Sequence, residues 1–171
     1  MKIVFVGVLN RHLPKGQRAV LVGGALVELY TDGAYVTGDV DLIGDSGYIG
    51  PLLLSAGFRR SGRHYVEPKL GLAVEVAGRS LRHTETVQYV EFRGYDVPVV
   101  SVEDAVVDRL LGAKFWKSQT DWEQAILLFA AWRSRLNVEV LRDKARANEV
   151  DDFLRELEAI AIPRRSARRR T

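Results

Sequence analysis

The chain has no cysteine, which excludes disulfides, zinc–thiolate sites and thiol nucleophiles together. That suits a reducing compartment, and a cytoplasmic protein is expected. Long apolar runs are also missing: nothing approaches the roughly 18 to 20 residues needed to cross a bilayer. The apolar opening from Met1 to Val8 is broken by Asn10, Arg11 and His12, and no small-residue cleavage site follows. Neither a signal peptide nor a membrane partner is expected. Histidine is scarce. His12, His64 and His83 stand apart, none at ligand spacing from another, and each is expected at the surface. The serines lack a nucleophile-elbow context.

A basic body is absent as well. The formal charge is +3, but Arg164, Arg165, Arg168, Arg169 and Arg170 crowd the final eight residues. Taking those five charges from +3 leaves the remainder at −2. The tail, 163–171, reads either as a solvated segment or as a non-specific contact for nucleic-acid phosphates.

What is present is an ordinary globular composition, with 47% hydrophobic and 27% charged residues among 171, enough for one domain. Ala19 to Val22 reads as a buried strand ending at Gly23-Gly24, with a short helix over Ala25 to Tyr30. Tyr35 to Ile43 reads as a second strand, and Gly47 to Gly57 as a helix. Strands follow at Arg63 to Val66 and Leu70 to Val76, then a hairpin of Val87 to Phe92 and Tyr95 to Val99 across Arg93-Gly94. The opening segment is open to two readings, strand by its β-branched residues or helix ending near Leu13-Pro14. Beyond Pro98 the texture becomes helical: Val102 to Lys117 after a capping-box-like Ser101 and Asp104, then Asp121 to Leu136, Val138 to Ala147 and Val150 to Ile160. The expected fold is α/β (α+β), a mixed-sheet core over 1–98 with a helical region over 99–162.

The chemistry concentrates in two places. Asp39 and Asp41, two apart on a strand, project from one face, and two like charges so close call for a cation. The alternative is a solvated strand end. A calcium loop is excluded, because Ile43, which has no oxygen ligand to offer, takes the next ligand position. Glu75 lies inside the apolar run Leu72 to Val76, a third carboxylate if its strand neighbours the first pair, or else an edge-strand residue facing solvent. An all-oxygen set suits Mg²⁺ (or Mn²⁺), which can activate an attacking oxygen and neutralise a leaving pyrophosphate. Gly23-Gly24 supplies the other half. Without Cβ atoms, at a helix N-terminus, the pair admits a phosphate close to free N–H groups; alone, it would read as a simple turn. Arg109 and Lys114 are expected to pair with Asp104 or Asp108, or one of them to meet a phosphate. Trp116, Trp122 and Trp132 are expected to pack between helices.

Leu21-Val22-Gly23-Gly24-Ala25, followed by Thr37-Gly38-Asp39-Val40-Asp41-Leu42, resembles the glycine pair and Asp-x-Asp of the nucleotidyltransferase superfamily. It is similar to the minimal nucleotidyltransferases and the AbiEii-type toxins in particular. The likeness covers residues 19–76 and extends to Ser101–Asp104 and Asp108-Arg109-Leu110, with Lys117 and Asp121 beyond. It implies a small mixed sheet with the site at one edge, metal on Asp39, Asp41 and Glu75, and nucleotide on Gly23, Gly24 and Thr37. It implies transfer of an NMP from an NTP to a hydroxyl of a protein or RNA acceptor, with a toxin–antitoxin setting among the expectations. One departure stands out. Tyr35 occupies a position where many relatives carry Arg, so Arg59, Arg60 or Arg63 is expected to substitute, or else the fold serves as a nucleotide-binding or regulatory module without turnover.

Overall fold

The computed structural model describes residues 1–161; the arginine-rich tail lies outside the described residues. The opening segment is helix α1 (Lys2–His12), burying Ile3, Val6 and Leu9. Packing overrides the β-branched propensity there. Gly7 lets α1 lie on the sheet, since a Cβ at that position would come within 2.5 Å of the Tyr95 Cβ.

Seven strands form one mixed sheet in the order β3-β4-β5-β2-β1-β7-β6. They are β1 (Val20–Val22), β2 (Asp39–Ile43), β3 (Arg59–Ser61), β4 (His64–Glu67), β5 (Leu72–Gly78), β6 (Val87–Phe92) and β7 (Tyr95–Val100). Helices α2 (Gly23–Tyr30) and α3 (Ser46–Ser55) fall between the early strands. The centre is β5-β2-β1-β7, where β2 runs antiparallel to β1 and parallel to β5. Register places Leu21 beside Leu42 and Val99, with Val40 beside Val74, so one sheet face is continuous apolar core. The opposite face carries Asp39, Asp41 and Glu75.

Two expectations need correction here. The strand read from Tyr35 begins only at Asp39. Side chains consume the preceding backbone: Lys2 Nζ donates to the Thr37 carbonyl at 2.6 Å, and the Thr37 N–H donates to Glu28 at 3.3 Å. A ladder cannot form where its groups are already bonded. The sequence reading also passed over β3, a short exposed strand pairing with β4 across Gly62, which sits at φ +60.

Among the described residues four helices follow the sheet: α4 (Val102–Phe115), α5 (Gln119–Trp132), α6 (Val138–Ala147) and α7 (Asp151–Ala161). Ser101 caps α4, its hydroxyl accepting from the Asp104 N–H at 3.1 Å. Gly112 brings α5 close, since an added Cβ would lie 2.3 Å from an Asp121 carboxylate oxygen. Leu110, Leu128, Leu141 and Leu157 join the sheet's Leu21 and Leu42 in one hydrophobic cluster. Trp122 and Trp132 pack as expected: Trp132 meets Tyr30 edge-on and donates to its carbonyl, and Trp122 meets Phe153. Trp116 does not. It is 82% exposed, one residue past the end of α4. Among the described residues no helix is long and apolar enough to cross a membrane.

Candidate active site

The registers of β4, β5, β2 and β1 set four residues in a row: His64 opposite Glu75, Glu75 opposite Asp41, Asp41 opposite Val22. Asp39 lies two residues back from Asp41 on the same face. The sheet thus brings the three carboxylates together. Glu75 is on an interior strand and only 16% exposed, so it is no edge-strand residue.

Each carboxylate has a different neighbourhood. Asp39 accepts a 2.6 Å hydrogen bond from the Thr37 hydroxyl. Glu75 faces the Arg63 Nε at 3.2 Å and the His64 Nε2 at 3.4 Å. His64, expected at the surface, is half-buried beside the site; cross-strand register, invisible without the fold, puts it there. Asp41 reaches Gly23. A Cβ there would sit 2.0 Å from the Asp41 Oδ2, and Gly23 itself adopts φ +66. Only glycine satisfies both demands. Burial raises the Asp41 pKa, and the neighbouring charges of Asp39 and Glu75 raise it further; the nearby N–H of Gly24 and the charge of Arg109 oppose them. Gly24 packs on Thr37, where an added Cβ would lie 2.9 Å from its hydroxyl oxygen. The glycine pair therefore makes room for the acidic strand at the start of α2.

Asp41 opens into a cleft of about 380 Å³ whose wall includes Gly23, Leu26, Arg82, Asp108 and Arg109. Arg109 donates to Asp108, to Asp121 at 2.8 Å and to Gln124 at 2.9 Å. Burial works against its charge, but Asp108, then Asp121 and Asp41, keep its pKa above the usual arginine range. The expected partner Asp104 is instead taken by Lys144 at 2.6 Å, and Lys114 pairs with Asp152 at 2.8 Å. Arg59 and Arg60, expected as substitutes for the missing basic residue, are exposed on the outermost strand. Arg63 is engaged with Glu75. Arg82 is the cation that sequence reasoning missed; it stands in the loop after β5, outside every motif.

Asp39 and Asp41 fit a divalent ion of the Mg²⁺ type, which commonly takes one or two carboxylates and completes its shell with water and phosphate. Burial, then the charges of Asp39 and Glu75, disfavour the ionised form of Asp41, and such an ion would favour it. Glu75 is turned to Arg63 and His64, and among the described residues no three His, Asp or Glu side chains gather closely enough to hold a metal by themselves.

No protein-family profile matches the chain, and no curated protein matches it in sequence. Solved structures do match in shape. An antigenic nucleotidyltransferase-like protein from Paracoccidioides brasiliensis superimposes with a TM-score of 0.57 at 20% identity, covering 91% of each chain. The antibiotic-resistance factor ANT(2'')-Ia superimposes with a TM-score of 0.54 at 16% identity, covering 94% of this chain and 95% of that one. The fold is nucleotidyltransferase-like.

Proposed function

We propose that the protein is a metal-dependent nucleotidyltransferase, moving an NMP from an NTP to a hydroxyl. The observation that carries this reading is the alignment of Asp39, Asp41 and Glu75 on one sheet face, with Asp41 against Gly23 at the start of α2. The nucleotidyltransferase-like fold supports it. Mg²⁺ or Mn²⁺, when bound, supplies charge neutralisation for the phosphates and a more acidic attacking hydroxyl. Asp39 and Asp41 hold that ion, and Thr37 fixes the Asp39 rotamer by its hydrogen bond. Gly23 and Gly24 leave the start of α2 open to the phosphates. Glu75 receives the proton of the acceptor hydroxyl; service as a further metal ligand would require its release from Arg63 and His64. The acceptor is a hydroxyl of a protein side chain or an RNA, with a toxin–antitoxin pairing as the proposed setting.

The test is incubation with α-labelled NTPs and Mg²⁺ or Mn²⁺ in the presence of protein and RNA acceptors. Label transfer should fall by about 100-fold or more in Asp39→Ala and Asp41→Ala, the scale expected when electrostatic support at a reacting phosphate is removed. Transfer that survives in both variants would remove the reading.

A second reading has one observation in its favour. The two arginines of the cleft are each bonded to carboxylates, Arg82 to Glu85 and Asp108 and Arg109 to Asp108 and Asp121. A binding module without turnover would show NTP-dependent thermal stabilisation and no transfer to any acceptor.

A further inference from the structure

The cleft poses a problem for a triphosphate: Asp41, Glu85 and Asp108 line it, and their charge repels one. We propose that Arg82 is the residue that grips the phosphates, leaving its resting partner Asp108 when a nucleotide arrives. This rests on the nucleotidyltransferase reading and adds a binding residue to it.

Arg82 and Arg109 both line the cleft with Asp41 and Gly23, but they are held very differently. Arg109 is 17% exposed and bonded on three sides to Asp108, Asp121 and Gln124. Turning it toward a ligand would strand buried acceptors. Arg82 is 43% exposed and reaches Asp108 at 2.8 Å and Glu85 at 2.7 Å. Its departure leaves each partner a donor, although Glu85, only 12% exposed, gives up the two bonds that the guanidinium makes to its Oε1. Asp108 keeps Arg109, and Glu85 keeps the Arg82 backbone N–H, which donates to its other oxygen at 2.6 Å. The Arg82–Asp108 pair, 43% and 38% exposed, contributes little, whereas a guanidinium fork on phosphate oxygens makes two charge-assisted hydrogen bonds. Exchange of Asp108 for a phosphate is therefore favourable on the arginine's side and costs the protein little at Asp108.

The loop holding Arg82 is tied down just beyond it. The Thr86 N–H donates to Asp104 at 2.9 Å, and Lys144 donates to the Thr84 carbonyl. The backbone thus stays fixed while the side chain swings, a small rearrangement with a defined donor.

The test compares wild type, Arg82→Ala and Arg82→Lys for binding of a non-hydrolysable NTP and of the matching NMP with Mg²⁺, by calorimetry. Arg82→Ala should weaken NTP binding by about 10-fold or more while changing NMP binding much less, because the lost contacts lie on the distal phosphates. Arg82→Lys should recover part of the loss, restoring charge without the fork. Melting temperature without ligand should fall only slightly, since Asp108 keeps Arg109 and Glu85 keeps the backbone N–H of residue 82. Equal NTP affinity in Arg82→Ala, or equal losses for NTP and NMP, would overturn the assignment while leaving the nucleotidyltransferase reading intact. Absence of NTP binding in the wild type would overturn both.

Discussion

Two acidic clusters flank the same cleft and are built in opposite ways. On the sheet, Asp39, Asp41 and Glu75 crowd their charges, and the Asp41 pKa is pushed up by burial and by those neighbours. On α4, burial alone would raise the Asp108 pKa; Arg109 and Arg82 overcome that and lower it. In the sheet cluster the cations Arg63 and His64 face Glu75 rather than Asp41, whereas on α4 Asp108 is answered directly by two arginines. Structural ion pairs are answered within the fold, whereas a site that takes a cation must leave charge for it. On the proposed function, the sheet cluster is the part that takes the ligand, and the α4 network is the frame beside it.

Crossing the two clusters by mutation tests this division, and the largest effect belongs to the sheet. Asp41→Asn should reduce label transfer by about 100-fold or more without loss of folding stability. Arg109→Ala should do the reverse in kind. It leaves Asp121 without its cation and Gln124 without its donor inside the α4–α5 contact, and should cost about 3 kcal/mol in chemical denaturation, as breaking a buried pair does. Asp41→Asn that unfolds the protein, or Arg109→Ala that leaves the denaturation midpoint unmoved, would exchange the roles assigned to the two clusters.

Smaller, and falling between function and fold, is Gly23→Ala. The added methyl requires φ near +66 and occupies space within 2.0 Å of the Asp41 Oδ2. Strain alone costs about 1 to 2 kcal/mol. The displaced carboxylate should also lower transfer, so both readouts move. A stability loss with full transfer would mean that Asp41 need not rest against α2.

The difference between the clusters also explains what the sequence revealed. Asp39 and Asp41 announce themselves because strand periodicity puts them on one face within five residues, and the glycine pair marks the turn before them. Glu75 was legible as an acid out of place in an apolar run, and only its strand's position beside β2 needed the fold. Of the α4 network, only the pairing of Arg109 with Asp108 was legible. Arg109 bonds Asp121 and Gln124 across a helix turn-around, and Arg82 reaches Asp108 over 26 residues, pairings with no periodic signature. The same holds for His64, which meets Glu75 through strand pairing alone. The helix α1 was undecidable for a related reason: its Ile and Val content favours strand, and only the surface presented by Tyr95 and the sheet selects helix.

The smallest expected effect is a pH dependence whose sign differs between the clusters. Asp41 has a folded-state pKa above its unfolded value, so its contribution to stability is fully present below the unfolded pKa and is lost as pH rises through the folded one. At pH 7 the metal-free wild type therefore carries a repulsion that Asp41→Asn removes, and the variant should be the more stable. Lowering the pH protonates Asp41 and closes the gap. Asp108 behaves inversely: its folded pKa is lowered, so its contribution is present above the unfolded pKa and is lost as pH falls through the folded one. Asp108→Asn should thus be less stable than wild type at pH 7, with the deficit shrinking as pH falls below the unfolded carboxylate range. Denaturation midpoints of both variants between pH 7 and pH 3 read this directly. Added Mg²⁺ at pH 7 should then raise the wild-type midpoint toward that of Asp41→Asn and leave the variant nearly unmoved, because the ion and the amide relieve the same repulsion. Equal stabilisation of both by Mg²⁺ would place the cation elsewhere.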